Sequence, residues 1–228
     1  MRAGSRGTYS DPQKHEYRDA FVGFIAGVYG RRIGKIEYAE LCTGRAKGIR
    51  AAALGGVRRQ WAINYERGQV SQAIIHFRKW GLPGTLEGYA GPLHEMAAEH
   101  VKLDRPKWDV LNADFCGTVS KTTTLSWITD TLATGVMADD SWLGITVSVG
   151  RVEDHAAIVA ASPKYMLGAL TPTDIGRLRL VVRAIEASKR YTVVPCSQIT
   201  LWQKCGKYGG GRSQKMLWAI FRLKGATS

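Results

Sequence analysis

Cysteine is scarce in this sequence and is not arranged to hold a metal ion. The 228 residues contain four cysteines, none of which forms a C-x-x-C pair or stands at metal-ligand spacing from a histidine: Cys42, Cys116, Cys196 and Cys205. We therefore expect no metal site. We interpret the cysteines as buried, reduced thiols, which fits a reducing intracellular compartment.

Long apolar segments are absent as well. No segment reaches the roughly 18 apolar residues that a membrane-spanning helix needs. The polar, basic residues 1–10 lack the apolar stretch of a secretory signal. We therefore expect a cytoplasmic protein that makes no membrane contact. The hydrophobic fraction of 45% is nevertheless high enough for one substantial core.

Acidic residues are few compared with basic ones. The chain has 19 Asp and Glu against 32 Lys and Arg, which gives a formal net charge of +13. An excess of this size attracts polyanions, and nucleic acid is the commonest polyanion inside a cell. We therefore expect a nucleic acid as partner. The alternative is a basic, solvated surface that serves only solubility.

Segments of strand and helix character alternate over most of the chain. After a predicted helix at 12–29, strands are predicted at 36–42, 60–65, 85–89, 108–114 and 143–149, and helices at 49–54, 70–80, 92–100, 125–137 and 171–188. Parallel strands need crossover connections, so this alternation predicts an α/β fold with helices on both faces of a parallel sheet. We expect residues 1–34 to form an arm and a helix, and residues 35–228 to form one domain.

The end of the chain has a different pattern. Two β-rich segments, 191–202 and 215–223, flank the glycine-rich segment 206–211 with no room for a helix between them. They are predicted to pair as a C-terminal antiparallel hairpin. A parallel α/β sheet that ends in such a hairpin resembles the class I S-adenosylmethionine-dependent methyltransferases, here over about residues 35–224. The resemblance implies a Rossmann-like, mostly parallel sheet of seven strands.

The first strand and the turn after it resemble motif I of that family. Glu40 ends the strand, and a turn with Gly44 and Gly48 leads into a helix. Glycine lets the backbone approach a ligand, and a helix N-terminus offers free N–H groups. The family pattern holds more glycines than this turn. The resemblance implies that S-adenosylmethionine contacts Glu40, Cys42, Gly44 and Gly48, while the alternative is a sharp turn that serves only the fold.

Two further residues match positions that bind the cofactor in the family. Glu66 follows the second strand, 26 positions after Glu40 (66 − 40), where the family has an acid that binds the ribose hydroxyls. The alternative is a surface acid beside Arg67. Tyr89 follows the third strand, where the family often has an Asp that contacts adenine. This sequence lacks that Asp, and Tyr89 is the candidate to stack on the base in its place.

The segment after the fourth strand, 112–117, occupies the motif IV position. Asp114 matches the first residue of the Asp/Asn-Pro-Pro-aromatic signature, but both prolines and the aromatic residue are missing. The resemblance implies that Asp114 borders the reacting methyl group and that base-amine methylation is in doubt. Cys116 lies near the position of the nucleophilic cysteine in cytosine-5 methyltransferases. The alternative for Cys116 is a structural thiol.

The final segment has no acidic residue from Ala187 to Ser228. Around the predicted hairpin turn, four cations are predicted to contact phosphates, with aromatic residues interleaved: Lys204, Lys207, Arg212 and Lys215. The alternative assigns these cations to a solvated sheet edge.

Together these features predict a methyltransferase that uses S-adenosylmethionine and acts on DNA or RNA. The sparse glycines of motif I and the altered motif IV favour an alternative, a catalytically inactive methyltransferase-like protein that serves as a nucleic-acid-binding or assembly subunit. A third possibility, methylation of a small molecule, fits the fold but leaves the positive charge unexplained. The methyl acceptor, the oligomeric state and a virus-encoded origin stay open at this point.

Overall fold

The computed structural model describes residues 12–118, 124–149, 155–164, 170–194, 199–208 and 212–226. A 3-10 helix at Gly30–Lys35 separates the first helix from the first strand. The other elements, in chain order, are α1 (Pro12–Tyr29), β1 (Glu37–Leu41), α2 (Lys47–Leu54), β2 (Arg59–Asn64), α3 (Arg67–Lys79), β3 (Thr85–Ala90), α4 (Leu93–Lys102), β4 (Trp108–Thr118), α5 (Ser126–Ala133), β5 (Met137–Val149), α6 (His155–Ala161), α7 (Pro172–Ala187), β6 (Tyr191–Val193), β7 (Ile199–Tyr208) and β8 (Arg212–Gly225). None of the helices described is long and apolar enough to span a membrane.

The strands form one mixed sheet with the order β3-β2-β1-β4-β5-β8-β6, and β7 also pairs with β8. The strands β1 to β5 are parallel to their neighbours, whereas β8 runs antiparallel to β5. Both β6 and β7 pair with β8 on the side that faces away from β5. Residues 223–225 of β8 pair with β6, and residues 212–220 of β8 pair with β7. They therefore lie end to end and occupy one position, so the sheet is seven strands wide. The predicted fold class is confirmed, including the C-terminal antiparallel hairpin.

Each face of the sheet carries its own hydrophobic cluster. On one face α1, α2 and α3 cover a cluster that includes Phe21, Tyr38 and Ile49. On the other face α4, α5, α6 and α7 cover a cluster that includes Trp108 and Leu143. The inner strands β1 and β2 are therefore largely buried, whereas the edge strand β3 is mostly exposed.

Helix α7 begins where the sequence indicates. The Thr171 side chain accepts a hydrogen bond from the Asp174 backbone N–H, and the Asp174 carboxylate accepts one from the Thr171 backbone N–H. This reciprocal capping box, with Pro172 at the first helical position, satisfies N–H groups that have no partner within the helix.

Several predicted boundaries are wrong. The strand predicted at 191–202 is divided into β6 and β7, and β7 continues to Tyr208, inside the predicted turn at 206–211. The helix predicted at 125–137 ends at Ala133, and β5 begins at Met137 instead of residue 143. Gly135 has a positive φ of 76°, which breaks the helix. The polar start of β5 forms a strand because β8 pairs with it, with Asp140 opposite Lys224. Helix α6 was not predicted.

Candidate functional site

The predicted site residues converge on the edge of the sheet where the parallel strands end. Strand β1 lies between β2 and β4, and Glu40 stands level with Ala62 on one side and Asn112 on the other. The chain leaves β1 towards β2 and β3, then returns to the other side of β1 at β4. Open α/β sheets bind ligands outside the carboxyl ends of their strands at such a reversal of strand order.

The Gly44 turn is held in place by side chains of α3. The Gly44 N–H donates a 2.6 Å hydrogen bond to Gln69 Oε1, and the Gly44 carbonyl accepts one from the His76 ring at 2.7 Å between oxygen and Nδ1. A Cβ on Gly44 would collide with the Gln72 side chain. The glycine is therefore required by a close approach of helix and turn. The Gly44 N–H is engaged by Gln69, and the predicted contact of Gly44 with the cofactor stays a prediction.

Sequence reasoning did not find these α3 residues. Gln69, Gln72 and His76 are spaced by three and four positions, so they share one face of the helix. The sequence indicates their role only by this polar helix face, which follows a glycine-containing turn. Such a pattern is a weak signal.

Glu40 lies buried between β1 and the start of α2. Its carboxylate accepts a 2.7 Å hydrogen bond from the Tyr38 hydroxyl. Burial raises the pKa of Glu40 to about 7, although the hydrogen bond from Tyr38 and the positive charge of Arg18 act in the opposite direction. A Cβ on Gly48, in the first turn of α2, would overlap with this carboxylate. Glu40 can therefore exchange a proton near neutral pH.

Glu66 lies close to the Gly44 turn. Strand β2 ends at Asn64, and Glu66 occupies the position before the first residue of α3, with an exposed side chain. Asn64 bonds in two directions: its Nδ2 donates to the Cys42 carbonyl at 2.6 Å, and its Oδ1 accepts from the Glu66 N–H at 2.8 Å. Gln69, one helical turn after Glu66, bonds the Gly44 turn. The structure thus brings the ends of β1 and β2 together.

Cys42 is buried, and Tyr89 is partly buried on the edge strand β3. Cys42 is a buried free thiol, and burial raises its pKa to about 12, so the thiol stays protonated. The Tyr89 ring stacks on Trp61 with a centroid distance of 5.7 Å, and its hydroxyl lies 3.1 Å from His100 Nδ1. The predicted contact of Tyr89 with an adenine base stays a prediction.

Asp114 is partly buried on β4, at the start of a bulge. Asp114 pairs with Thr146 and Gly117 pairs with Val147, so β4 has two more residues than β5 over this step. Bulges of this kind re-aim side chains and often border active sites. Cys116 belongs to the bulge, but its side chain lies outside the described residues.

Tyr17 of α1 is a further residue of this region that sequence reasoning missed. Its pKa is raised well above the ordinary value, first by burial and then by the charges of Asp114 and Glu40. The tyrosine therefore lies near both carboxylates. Helix α1 consequently covers this part of the site.

The backbone of the hairpin cations lies at the same edge of the sheet. Lys215 pairs with Val149 at the carboxyl end of β5, and β8 begins three residues earlier, at Arg212, which pairs with Tyr208 of β7. Lys204 and Lys215 are direct cross-strand partners. Lys207 and Arg212 lie nearer the connection, and the side chains of all four lie outside the described residues.

The described ranges offer no metal centre, and one small pocket in them lies apart from the predicted cofactor contacts. No group of three or more His, Cys, Asp or Glu side chains in the described part of the chain could hold a metal ion. A small apolar pocket between the sheet and α4–α5 is lined by residues that include Leu93, Phe115 and Leu132, and by none of the predicted cofactor contacts.

No protein-family model and no curated protein sequence matches this chain. Solved structures do match. An O-methyltransferase from Bacillus cereus, in complex with SAH, has a TM-score of 0.56 and 12% identity over 93% of this chain and 82% of that chain. TYW2 from M. jannaschii, in complex with AdoMet, has a TM-score of 0.57 and 12% identity over 97% and 80%.

A proposed RNA methyltransferase from Pyrococcus horikoshii has a TM-score of 0.55 and 11% identity over 96% of this chain and 88% of that chain. At these identities the likeness concerns the fold. S-adenosylmethionine, or its demethylated product, is the ligand present in two of the three structures. Together with the observed strand order and hairpin, the comparisons establish that this chain has the Rossmann-like fold of the class I S-adenosylmethionine-dependent methyltransferases.

Proposed function

We propose that this protein is an S-adenosylmethionine-dependent methyltransferase that acts on a nucleic acid. The observation that carries the proposal is the meeting of the Gly44 turn with Glu66 at the adjacent carboxyl ends of β1 and β2. Asn64 and Gln69 connect the two through the hydrogen bonds described above. In open α/β sheets, a loop and an acidic residue at this position border the crevice that binds the ligand.

The chemistry of the side chains at this edge fits the cofactor. The exposed carboxylate of Glu66 has two oxygens that can accept hydrogen bonds from the two ribose hydroxyls. Asn112 Oδ1, on the strand beside Glu40, is buried and has no hydrogen-bond partner within the described part of the chain. Such an acceptor suits a ligand that carries N–H groups. The Gly44 turn is assigned to the amino-acid portion of the cofactor and Tyr89 to the adenine.

Asp114 is assigned to the acceptor side of the site. The bound cofactor would supply the methyl group, so the protein has to position an acceptor atom and exclude competing orientations. Asp114 lies two residues beyond Asn112 on β4, where the bulge begins. A carboxylate there can orient a hydroxyl or amine of the acceptor. Cys116, in the same bulge, is the second candidate.

Charge supports a nucleic acid as the acceptor. The net charge is +13, and the backbone register puts Lys204 directly opposite Lys215. Lysine and arginine attract phosphates through Coulomb attraction. Lys207 and Arg212 add to the same hairpin. The fold itself does not select the acceptor, because the proteins that share it include an O-methyltransferase as well as a proposed RNA methyltransferase.

Calorimetric titration with S-adenosylmethionine tests the cofactor. We expect the intact protein to bind it and Glu66→Ala to bind at least about tenfold more weakly, because a hydrogen bond to a charged group contributes about 1.5–3 kcal/mol. Glu99→Ala, which removes an exposed acid from α4, is the control and should bind like the intact protein. Absence of binding by the intact protein would instead support the inactive, nucleic-acid-binding alternative.

Transfer of a labelled methyl group tests the acceptor. The intact protein, supplied with methyl-labelled S-adenosylmethionine, should label RNA or DNA from a cell extract, and Asp114→Asn should label less. Label found only in small molecules would contradict the nucleic-acid part of the proposal.

A further inference from the structure

The helical layer formed by α2 and α3 carries a one-sided charge. Between residues 41 and 86 the sequence contains eight Lys and Arg but a single acid, Glu66. Two of the cations have structural roles. Arg58 donates hydrogen bonds to the carbonyls of Ala53 and Val57, and Arg59 forms an ion pair with Glu37 at 3.0 Å.

The other six cations make no ion pair with any described residue. We call this set the α2–α3 basic surface: Arg45, Lys47, Arg50, Arg67, Arg78 and Lys79. All are exposed except Lys47, which is half-buried. Burial, followed by the positive charges of Arg18 and Arg45, lowers the pKa of Lys47. Like charges are therefore close together here, and the acids beside them are the buried Glu40 and the single exposed Glu66.

This surface is connected to the Gly44 turn. The Arg50 guanidinium lies 5.3 Å from the centre of the Trp80 ring, and the His76 ring stacks on Trp80 at a centroid distance of 5.7 Å. His76 in turn bonds the Gly44 carbonyl. Arg50 is thus packed on an aromatic pair, Trp80 and His76, beside the candidate cofactor turn.

Other helical surfaces are mixed in charge. On α4 the exposed Glu95 and Glu99 accompany Lys102, and on α7 the exposed Glu186 lies near Arg183. Clustered cations without acids bind phosphates through Coulomb attraction and release of counterions. Helix α1, on the same face of the sheet, has the exposed acids Glu16 and Asp19, so the excess of cations is confined to α2 and α3.

We infer that the α2–α3 basic surface binds the phosphate backbone of a nucleic acid, in addition to the contact proposed for the hairpin. The inference rests on the nucleic-acid part of the proposed function. A strand bound here would extend along α2 and α3 and reach the edge of the sheet beside the Gly44 turn. The hairpin would contact the same molecule on the β5 side of that edge. The two contacts together would hold it across the site.

Fluorescence anisotropy with a labelled single-stranded RNA, and with DNA of the same sequence, tests the inference. The variant Arg50→Gln/Arg78→Gln/Lys79→Gln should bind about 100-fold more weakly at about 0.1 M salt. For this variant, the plot of the logarithm of the binding constant against the logarithm of the salt concentration should have a slope that is shallower by about 2. Each phosphate contact on a single strand contributes about 0.7 to that slope. The double variant Arg78→Gln/Lys79→Gln preserves the contact of Arg50 with Trp80. It should show about two thirds of the slope change even if the triple variant folds poorly.

The control lowers the net charge by the same amount elsewhere. Arg183→Gln/Lys189→Gln/Arg190→Gln alters exposed cations at the end of α7, on the opposite helical layer, and should leave the salt slope unchanged. Equal weakening by the control and the α2–α3 variants would overturn the inference in favour of a diffuse effect of net charge. Unchanged binding by the α2–α3 variants would also overturn it. If the intact protein binds neither RNA nor DNA, the nucleic-acid part of the proposed function fails first, and this inference fails with it.

Discussion

Gln69 accepts a 2.6 Å hydrogen bond from the backbone N–H of Gly44, and this bond links the helix after β2 to the turn after β1. Gly44 is buried, so its N–H would lack a partner if the Gln69 oxygen were removed. A buried donor without a partner costs about 1–3 kcal/mol. The turn is therefore held in its shape by a side chain far away in sequence.

Two variants of similar size separate this hydrogen bond from packing. Gln69→Leu removes the acceptor, and we expect the affinity for S-adenosylmethionine to fall about 5- to 30-fold, as about 1–2 kcal/mol implies. Gln69→Glu preserves the acceptor and should retain most of the affinity. Calorimetric titration of both variants measures the difference. Equal affinities of the two variants would show that the bond does not position the turn for the cofactor.

The second prediction concerns the stability of the protein as a function of pH. Glu40 has a pKa of about 7 in the folded state, above its usual value of about 4.3 in an unfolded chain. Between these pH values the folded protein retains a proton that the unfolded chain has lost. The contribution of Glu40 to the free energy of unfolding is therefore fully present below about pH 4.3 and falls, by about 3 kcal/mol in total, as the pH rises to about 7.

Glu40→Gln removes this dependence because glutamine does not titrate. Urea unfolding of both proteins from about pH 4.5 to 8 gives the difference in free energy of unfolding, in which the other titrating groups largely cancel. We expect the wild-type protein to lose stability relative to Glu40→Gln over this range. Parallel curves for the two proteins would contradict the prediction.

The third prediction concerns the contact between Gly48 and Glu40. A Cβ at position 48 would overlap with the buried Glu40 carboxylate, so Gly48→Ala should destabilise the protein by about 1–3 kcal/mol. Chemical unfolding measures this cost. In a Glu40→Ala background, Gly48→Ala should destabilise the protein by about 0.5–3 kcal/mol less, because the obstructing carboxylate is gone.

Gly68 provides the matched control for that substitution. It also lies in the first turn of a helix, α3, but a Cβ there would meet no atom within 4 Å. Gly68→Ala should therefore leave the stability unchanged or raise it by up to about 1 kcal/mol, as expected for alanine in a helix. If the two glycine substitutions have the same effect, the contact with Glu40 does not explain the glycine at position 48.

Most of the sheet could be predicted because its signals are local. Apolar segments bounded by turns indicated the strands, and the short glycine-rich connection indicated the hairpin. The start of β5 could not be predicted in this way. Residues 139–140 are both acidic, and they join the sheet because β8 lies beside them. Arg222 of β8 forms two 2.7 Å hydrogen bonds to Asp140. That pairing joins positions 82 residues apart, which no local pattern reveals.

The sequence by itself determined the alternation of strands and helices, the antiparallel end and the excess of positive charge. It also determined which residues could resemble cofactor-binding motifs. Only the tertiary structure decided that Gln69 and His76 hold the Gly44 turn and that Tyr17 lies near Glu40 and Asp114. Periodicity and turn residues act between neighbours along the chain, whereas these contacts exist only after helices pack on the sheet and bring distant side chains within hydrogen-bonding or Coulomb range.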